Sequence, residues 1–245
     1  MKIVIAADYR ELSQMAAEIV AEQVRTNKNS VLGLATGSTP EGMYAILSQM
    51  HRQDNLDFSG VITFNLDEYV GLAPDHPQSY HYYMKNHFFN QVNVKSCNIN
   101  IPCAEKNNPE KVCLEYDQNI NNSGGIDLQV LGIGTNGHIG FNEPDRFLSV
   151  DTHIVDLTEE TIEANCRFFE SKNEVPRRAV TMGVGSIMKA KKIMLLASGF
   201  HKAKAVKEML SGKVTTELPA SLLQLHHDPL VILDHEAASL LQAKE

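Results

Sequence analysis

A chain of 245 residues, 43% of them hydrophobic, can bury a full core and suits one large α/β domain as well as two small ones; we expect one. With 7% aromatic residues and no Trp, Val, Ile, Leu, Met and Ala must build that core, as they do around buried parallel strands. A formal net charge of −8 without a dense Lys/Arg stripe argues against a nucleic-acid partner, whereas a small anionic ligand held by a few local donors stays compatible with it.

Short apolar runs alternate with helical patterns along the chain. Lys2–Ala7, Val31–Ala35, Val61–Leu66, Ile126–Ile133, Ala179–Met182, Lys192–Ala197 and Leu230–Leu233 read as strands. After the first run, Asp8 and Glu11 have capping-box spacing, and Leu12, Met15, Ala16, Ile19, Val20 and Val24 recur at helical intervals. After the second, Thr39 can cap and Pro40 can take the first helical position before Met43, Ile46, Leu47 and Met50. Repeated βα units imply right-handed crossovers, so the expected fold is a single α/β domain: a doubly wound, mostly parallel, Rossmann-like sheet with helices on both faces. Phe147 to Pro176 is polar and weakly patterned between strong strands, which makes it a candidate lid.

No apolar stretch approaches the ~20 residues of a membrane span and no secretory signal is visible, so a cytoplasmic protein without a membrane partner is expected. Cys97, Cys103, Cys113 and Cys166 form no C-x-x-C pair, which speaks against a zinc site or redox dithiol and for reduced structural thiols.

In such folds ligands sit at the carboxyl ends of strands, and three ends carry chemistry. Leu34-Ala-Thr-Gly-Ser-Thr-Pro40 opens a helix with exposed N–H groups, hydroxyls and a positive dipole end, a combination that suits a phosphate; the same turn also serves as a plain βα connection. It lacks the Gly-Lys-Ser/Thr of a nucleotide-binding P-loop. In Phe64-Asn-Leu-Asp-Glu-Tyr-Val-Gly71, side-chain alternation lets at most one of Asp67 and Glu68 face a given cleft; one is a candidate base, the alternative being a capping Asp beside a solvated Glu. Leu131–Pro144 contains G-x-G-x-x-G at Gly132, Gly134 and Gly137, yet Gly140 and Pro144 interrupt the helix that a dinucleotide site requires. The segment offers instead His138 with Glu143 a short turn away, an acid–base arrangement, although a lone loop histidine is more often structural. His76, His81, His87, His226, His227 and His235 share no ligand spacing and are expected in structural roles; neither metal nor cofactor is expected.

Together, Leu-Ala-Thr-Gly-Ser-Thr-Pro, Asn-Leu-Asp-Glu-Tyr-Val-Gly-Leu and Asn-Gly-His-Ile-Gly-Phe-Asn-Glu-Pro resemble the motifs of the glucosamine-6-phosphate deaminases, within the glucosamine/galactosamine-6-phosphate isomerase family. The resemblance runs over essentially the whole chain, including Cys166-Arg-Phe-Phe169, Pro176, Gly183-Val-Gly185, Gly199-Phe-His-Lys202 and Leu223-Gln-Leu-His226. It implies isomerisation with deamination of glucosamine 6-phosphate in amino-sugar catabolism. It implies too that Asp67 moves the C2 proton to C1, that His138 opens the ring with Glu143 supporting it, and that Thr36, Gly37, Ser38, Thr39, Arg167 and Lys202 hold the phosphate. Asn136 stands where some members carry an aspartate; it can still orient the site by hydrogen bonding. His153 and Val155 replace basic residues of the hexameric, allosterically activated relatives, so activation by N-acetylglucosamine 6-phosphate is not expected, while self-association remains open.

Two alternatives are an enzymatic rival and a protein of another class. A 6-phosphogluconolactonase shares the fold and phosphate loop, but its histidine motif continues towards a Thr-Ala-Ser-Leu-Phe-Pro type run, unlike Ile-Gly-Phe-Asn-Glu-Pro here. A non-enzymatic sugar-phosphate sensor would need a DNA-binding appendage, and no basic helix-turn-helix segment is visible.

Overall fold

The computed structural model describes residues 1–103, 109–157, 159, 162–163, 171 and 174–241. Seven parallel strands form the main sheet: β1 (Lys2–Ala6), β2 (Val31–Leu34), β3 (Ile62–Asn65), β5 (Ile99–Asn100), β6 (Leu128–Leu131), β9 (Lys192–Ala197) and β10 (Pro229–Asp234). Their spatial order is β1-β10-β9-β6-β2-β3-β5. From β2 the chain winds outward through β3 to β5, then returns to lay β6 on the other side of β2. The switch point therefore falls between β2 and β6, where a doubly wound sheet opens a crevice beyond its carboxyl ends.

Helices cover both faces because the apolar residues of the sheet point both ways. On one face α1 (Tyr9–Thr26) and α2 (Ser38–Asp54) bury Leu12, Ala16, Val20, Met43 and Leu47 against Leu32, Leu34, Val130 and Met194. On the other, Tyr116 and Ile120 of α4 (Pro109–Asn122) join Ile187, Val206 and Met209 over Val31, Phe64, Leu131 and Leu195. No helix among the described residues is long and apolar enough to cross a membrane.

Helix starts differ in detail from the sequence reading. Asp8 caps α1 by accepting the N–H of Glu11, but the Glu11 carboxylate reaches back to Ala7 rather than to the cap itself. The cap of α2 is Gly37, not Thr39, and the helix begins at Ser38. Gly37 has φ +96°, a conformation open to glycine but not to threonine, and it turns the chain into the helix two residues earlier than a hydroxyl cap would.

Three strands form a second, antiparallel sheet in the order β4-β8-β7: β4 (Asp67–Tyr69), β7 (His153–Asp156) and β8 (Arg178–Thr181). The run Ala179–Met182 is thus a strand as read, but it belongs here rather than in the main sheet. Leu66 is the joint: its N–H donates to Leu34 of β2 at 3.1 Å, and its carbonyl accepts the N–H of Met182 at 2.7 Å. Within the segment read as a lid, residues 153–156 are an edge strand of the second sheet, and Leu157, Ile162 and Val175 pack beside Tyr69 and Phe141. Residues 158, 160–161, 164–170 and 172–173 of it lie outside the described residues, and so does Cys166. Cys97 and Cys103 are exposed and Cys113 is buried.

A single hydroxyl fastens the carboxyl end of β2. Tyr44 of α2, fully buried and stacked on Phe88, donates its O–H to the carbonyl of Ala35 at 2.6 Å. Tyr44→Phe keeps the ring but strands that carbonyl, so denaturant unfolding is expected to show a loss of about 1–2 kcal/mol with an unchanged m-value.

Candidate active site

At the switch point lies an open cleft of about 670 Å³, lined by the segments that follow β2, β6 and β9 and by the start of β4. Thr36, Gly37, Ser38 and Thr39 form one wall. No side chain caps α2, so the N–H groups of its first turn and the hydroxyls of Ser38 and Thr39 are available to an anion, reinforced by the helix dipole. Two tyrosines hold this loop. Tyr83 donates to the carbonyl of Gly37 at 2.7 Å; Tyr9 donates to that of Ser38 at 2.9 Å and accepts the N–H of Gly42 at 2.9 Å. Carbonyl oxygens that would repel an anion are thereby engaged elsewhere.

Asp67 and Glu68 point to opposite sides of β4, as pleated neighbours must. Asp67 lines the cleft at 7% exposure. Burial pushes its carboxyl up to about 8, with the negative charge of Glu68 adding to the effect. Glu68 is the residue that caps: its carboxylate accepts the N–H groups of Tyr80 and His81 at the start of α3 (Tyr80–His87). The alternative of a capping Asp beside a solvated Glu is therefore reversed in role, since Glu68 is buried and the aspartate faces the cavity.

His138 lines the same cleft from the loop after β6. Its Nδ1 lies 3.1 Å from both carboxylate oxygens of Glu143. With Nδ1–H donated there, Nε2 is left as the ring's proton acceptor, and a positive ring would be supported by the carboxylate. Asn136 stands behind the pair. Its amide donates to Glu143 at 2.7 Å while its oxygen accepts the N–H of His138 at 3.2 Å, which fixes the orientation of all three groups. An aspartate at 136 in this arrangement would press two carboxylate oxygens together; the amide removes that repulsion. Gly134 makes room for the ring, because a Cβ there would sit 2.3 Å from His138.

Positive charge comes from Lys202, in the short 3₁₀ turn Phe200–Lys202 after β9. Burial pulls its ammonium below the ordinary lysine value, and it makes no ion pair among the described residues. The turn is anchored by Asp234 at the end of β10, which accepts from the Ser198 hydroxyl and from the N–H groups of Gly199 and Ala237. Arg167, expected beside Lys202, lies outside the described residues.

The sequence reading missed Tyr9, Tyr80, Ser198 and His201 on the lining, and Tyr83 and Asp234 behind it. Their parts arise from tertiary placement; only the Gly199–Lys202 stretch gave a local signal. His81, expected in a structural role, is the ionisable partner of Glu68 at 2.8 Å. No three His, Cys, Asp or Glu among the described residues cluster as metal ligands would.

Residues 6–232 match the family described as glucosamine-6-phosphate isomerases/6-phosphogluconolactonase. The chain is 59% identical over 241 residues to the glucosamine-6-phosphate deaminase of Thermoanaerobacter sp. (strain X514), covering 98% of this chain and 95% of the relative. To that of Clostridium perfringens (strain 13 / Type A) it is 54% identical over 242 residues, 99% of this chain and 100% of the relative. A solved monomeric glucosamine-6-phosphate deaminase superposes with a TM-score of 0.95 at 47% identity, covering 98% of this chain and 100% of that one. The 6-phosphogluconolactonase of Trypanosoma brucei shares the fold, with a TM-score of 0.77 at 18% identity over 98% of each chain.

The raised value of Asp67 has a stability consequence with a definite sign. Between about 4, where an unfolded aspartate ionises, and about 8, the native state binds the extra proton, so rising pH erodes stability over that window. Asp67→Asn removes this erosion. Urea unfolding is expected to find it no more stable than the parent near pH 4 but more stable at pH 8, by on the order of 2 kcal/mol; a difference that does not grow with pH would contradict the buried-acid assignment.

Proposed function

The chain belongs to the glucosamine-6-phosphate isomerase/6-phosphogluconolactonase family, and on that premise we propose that it is a glucosamine-6-phosphate deaminase, converting glucosamine 6-phosphate and water to fructose 6-phosphate and ammonia. The observation that carries this reading is the pairing, in one cleft, of the desolvated Asp67 with His138, which is itself backed by Glu143. A carboxylate of ordinary basicity takes a carbon-bound proton poorly; one raised to about 8 is far better matched to the task.

In the proposed sequence the phosphate occupies the first turn of α2, with Ser38 and Thr39 donating and Lys202 balancing its charge. His138 takes the proton of the sugar's anomeric hydroxyl and returns it to the ring oxygen as the C1–O bond breaks, its transient positive form stabilised by Glu143. Ionised Asp67 then removes the proton from C2 while O1 gains a proton from the C2 ammonium, giving an enolamine, and Asp67 delivers the C2 proton to C1. C2 is then an iminium carbon to which water adds; one proton of that water moves to the nitrogen, which departs as ammonia, and the other is lost as the C2 carbonyl forms. The enolic intermediate is held by the fixed dipoles around the cleft rather than by a metal in this scheme. A phosphorylated sugar is charged and does not cross a bilayer unaided, so the cytoplasm is the proposed compartment.

Purified protein given glucosamine 6-phosphate is expected to release ammonia and fructose 6-phosphate in equal amounts. Asp67→Asn should lower kcat by about a thousandfold or more, and His138→Gln by about a hundredfold. Release of acid from 6-phosphogluconolactone without ammonia from the amino sugar would assign the lactonase reaction instead.

A further inference from the structure

Gly140, Phe141 and Asn142 lie between His138 and Glu143 and take no part in the proposed chemistry. They are tied to β8 rather than to the strand they follow. The N–H of Phe141 donates to the hydroxyl of Thr181 at 3.0 Å, and the side-chain amide of Asn142 donates to the carbonyl of Met182 at 2.9 Å. Met182 is also the residue whose N–H closes on Leu66, one position before Asp67. Thr181 is fully buried, beside Ala179 and Val180 on the same strand. A hydroxyl in such a place costs free energy unless it is bonded, and the N–H of Phe141 is the partner it meets.

The same threonine stands opposite the base. Thr181 and Asp67 are register partners in the antiparallel pair of β8 and β4, so their side chains leave the same face of the second sheet. Gly140 borders both: the position that a Cβ would take there lies 3.0 Å from Thr181 Oγ1 and 3.5 Å from Asp67 Oδ2. A reacting carbon must itself come within roughly 3–3.5 Å of the base. Gly140 lines the cleft, so a side chain at this position would crowd the oxygen that substrate has to reach. Resting on the reading of Asp67 as the base, we propose that Thr181 is a positioning residue for it: the hydroxyl holds the bare Gly140–Phe141 peptide down over Asp67, setting how closely C2 of the sugar approaches the carboxyl and keeping water from it. The ring of Phe141 completes the cover by packing on Tyr69 and Tyr80. Because His138 is two residues before Gly140, the same clamp fixes the spacing between the two acting groups.

The test compares the parent with Thr181→Val, which keeps the shape but removes the acceptor, and Thr181→Ser, which keeps the hydroxyl. The substrate is glucosamine 6-phosphate deuterated at C2, turned over in ordinary water. Thr181→Val should lower kcat by about ten- to a hundredfold while KM stays within about threefold, because the phosphate cradle is untouched. The share of deuterium delivered to C1 should fall by about half or more, since a loosened loop admits water to the carboxyl; a smaller folded fraction alone would leave that share unchanged. Thr181→Ser should keep the parental share and hold kcat within about threefold. Exchange of the Phe141 amide, followed by NMR relative to core amides of the main sheet, should quicken about tenfold or more in Thr181→Val and not in Thr181→Ser. Gly140→Ala should lower kcat by about tenfold or more. Its control is Gly124→Ala: Gly140 has φ +58° and Gly124 φ +83°, but nothing lies within 4 Å of a Cβ at 124, so that variant carries the backbone strain alone and should keep the parental kcat. Parental kcat or an unchanged deuterium share in Thr181→Val overturns the proposal, and so does parental kcat in Gly140→Ala. Should Thr181→Val fail to fold, Gly140→Ala decides alone: a lost kcat with KM retained supports the role, and a parental kcat overturns it. A parent that releases no ammonia would sink the proposed reaction instead. Amide exchange needs no turnover, so a quickened Phe141 amide would then still support the clamp and an unaltered one would overturn it.

Discussion

The placement of one carboxylate, Asp67, at the point where the chain leaves a parallel sheet governs the rest of the structure. Leu66 closes its hydrogen bonds with both sheets, to Leu34 on one side and Met182 on the other. The next residue is therefore forced out over the carboxyl ends of the strands, in the crease between the two sheets, where little water reaches it. A buried acid there works against folding at neutral pH and favours the chemistry, which is the usual relation between an active site and the scaffold that strains to hold it. The second sheet is built around this need: β8 pairs with β4 directly, and Thr181, opposite Asp67, accepts the N–H of Phe141 and so draws the His138 loop alongside.

The other half of the site answers a charge problem. A chain with a formal charge of −8 repels an anion at long range, so binding must come from donors that act at short range. The first turn of α2 provides them without a side-chain cap, Tyr9 and Tyr83 occupy the carbonyls of the same loop, and Asp234 sets the turn that carries Lys202. The loops they hold follow β2 and β9, on either side of β6, so the direction of winding of the sheet decides where anion and base can meet.

Much of this was legible in the sequence, and the rest was not for identifiable reasons. Continuous apolar runs revealed β2, β3, β6, β9 and β10, because strands buried on both faces tolerate little else, while β1 showed through the same kind of run although it is an edge strand with Ile3 and Ile5 exposed. The run at 179–182 was equally apolar, yet apolarity cannot tell which sheet a strand joins. β4 was hidden because it continues β3 with one residue between, and β5 because two residues carry no period. At the site, Asp67, His138, Glu143 and the loop 36–39 announced themselves through glycines and paired polar groups at strand ends. Glu68 and His81 did not: capping a helix that starts twelve positions further on has no local signature, and a buried glutamate looks like a solvated one until the helix it serves is placed.

The central claim is that a shielded Asp67 carries the C2 hydrogen to C1. Glucosamine 6-phosphate deuterated at C2, turned over in ordinary water, tests it directly. The account predicts a primary isotope effect on kcat/KM and a measurable share of the deuterium at C1 of the fructose 6-phosphate formed, because a nearly water-free carboxyl exchanges slowly relative to transfer. Deuterium found entirely in the solvent, with no isotope effect, would contradict it.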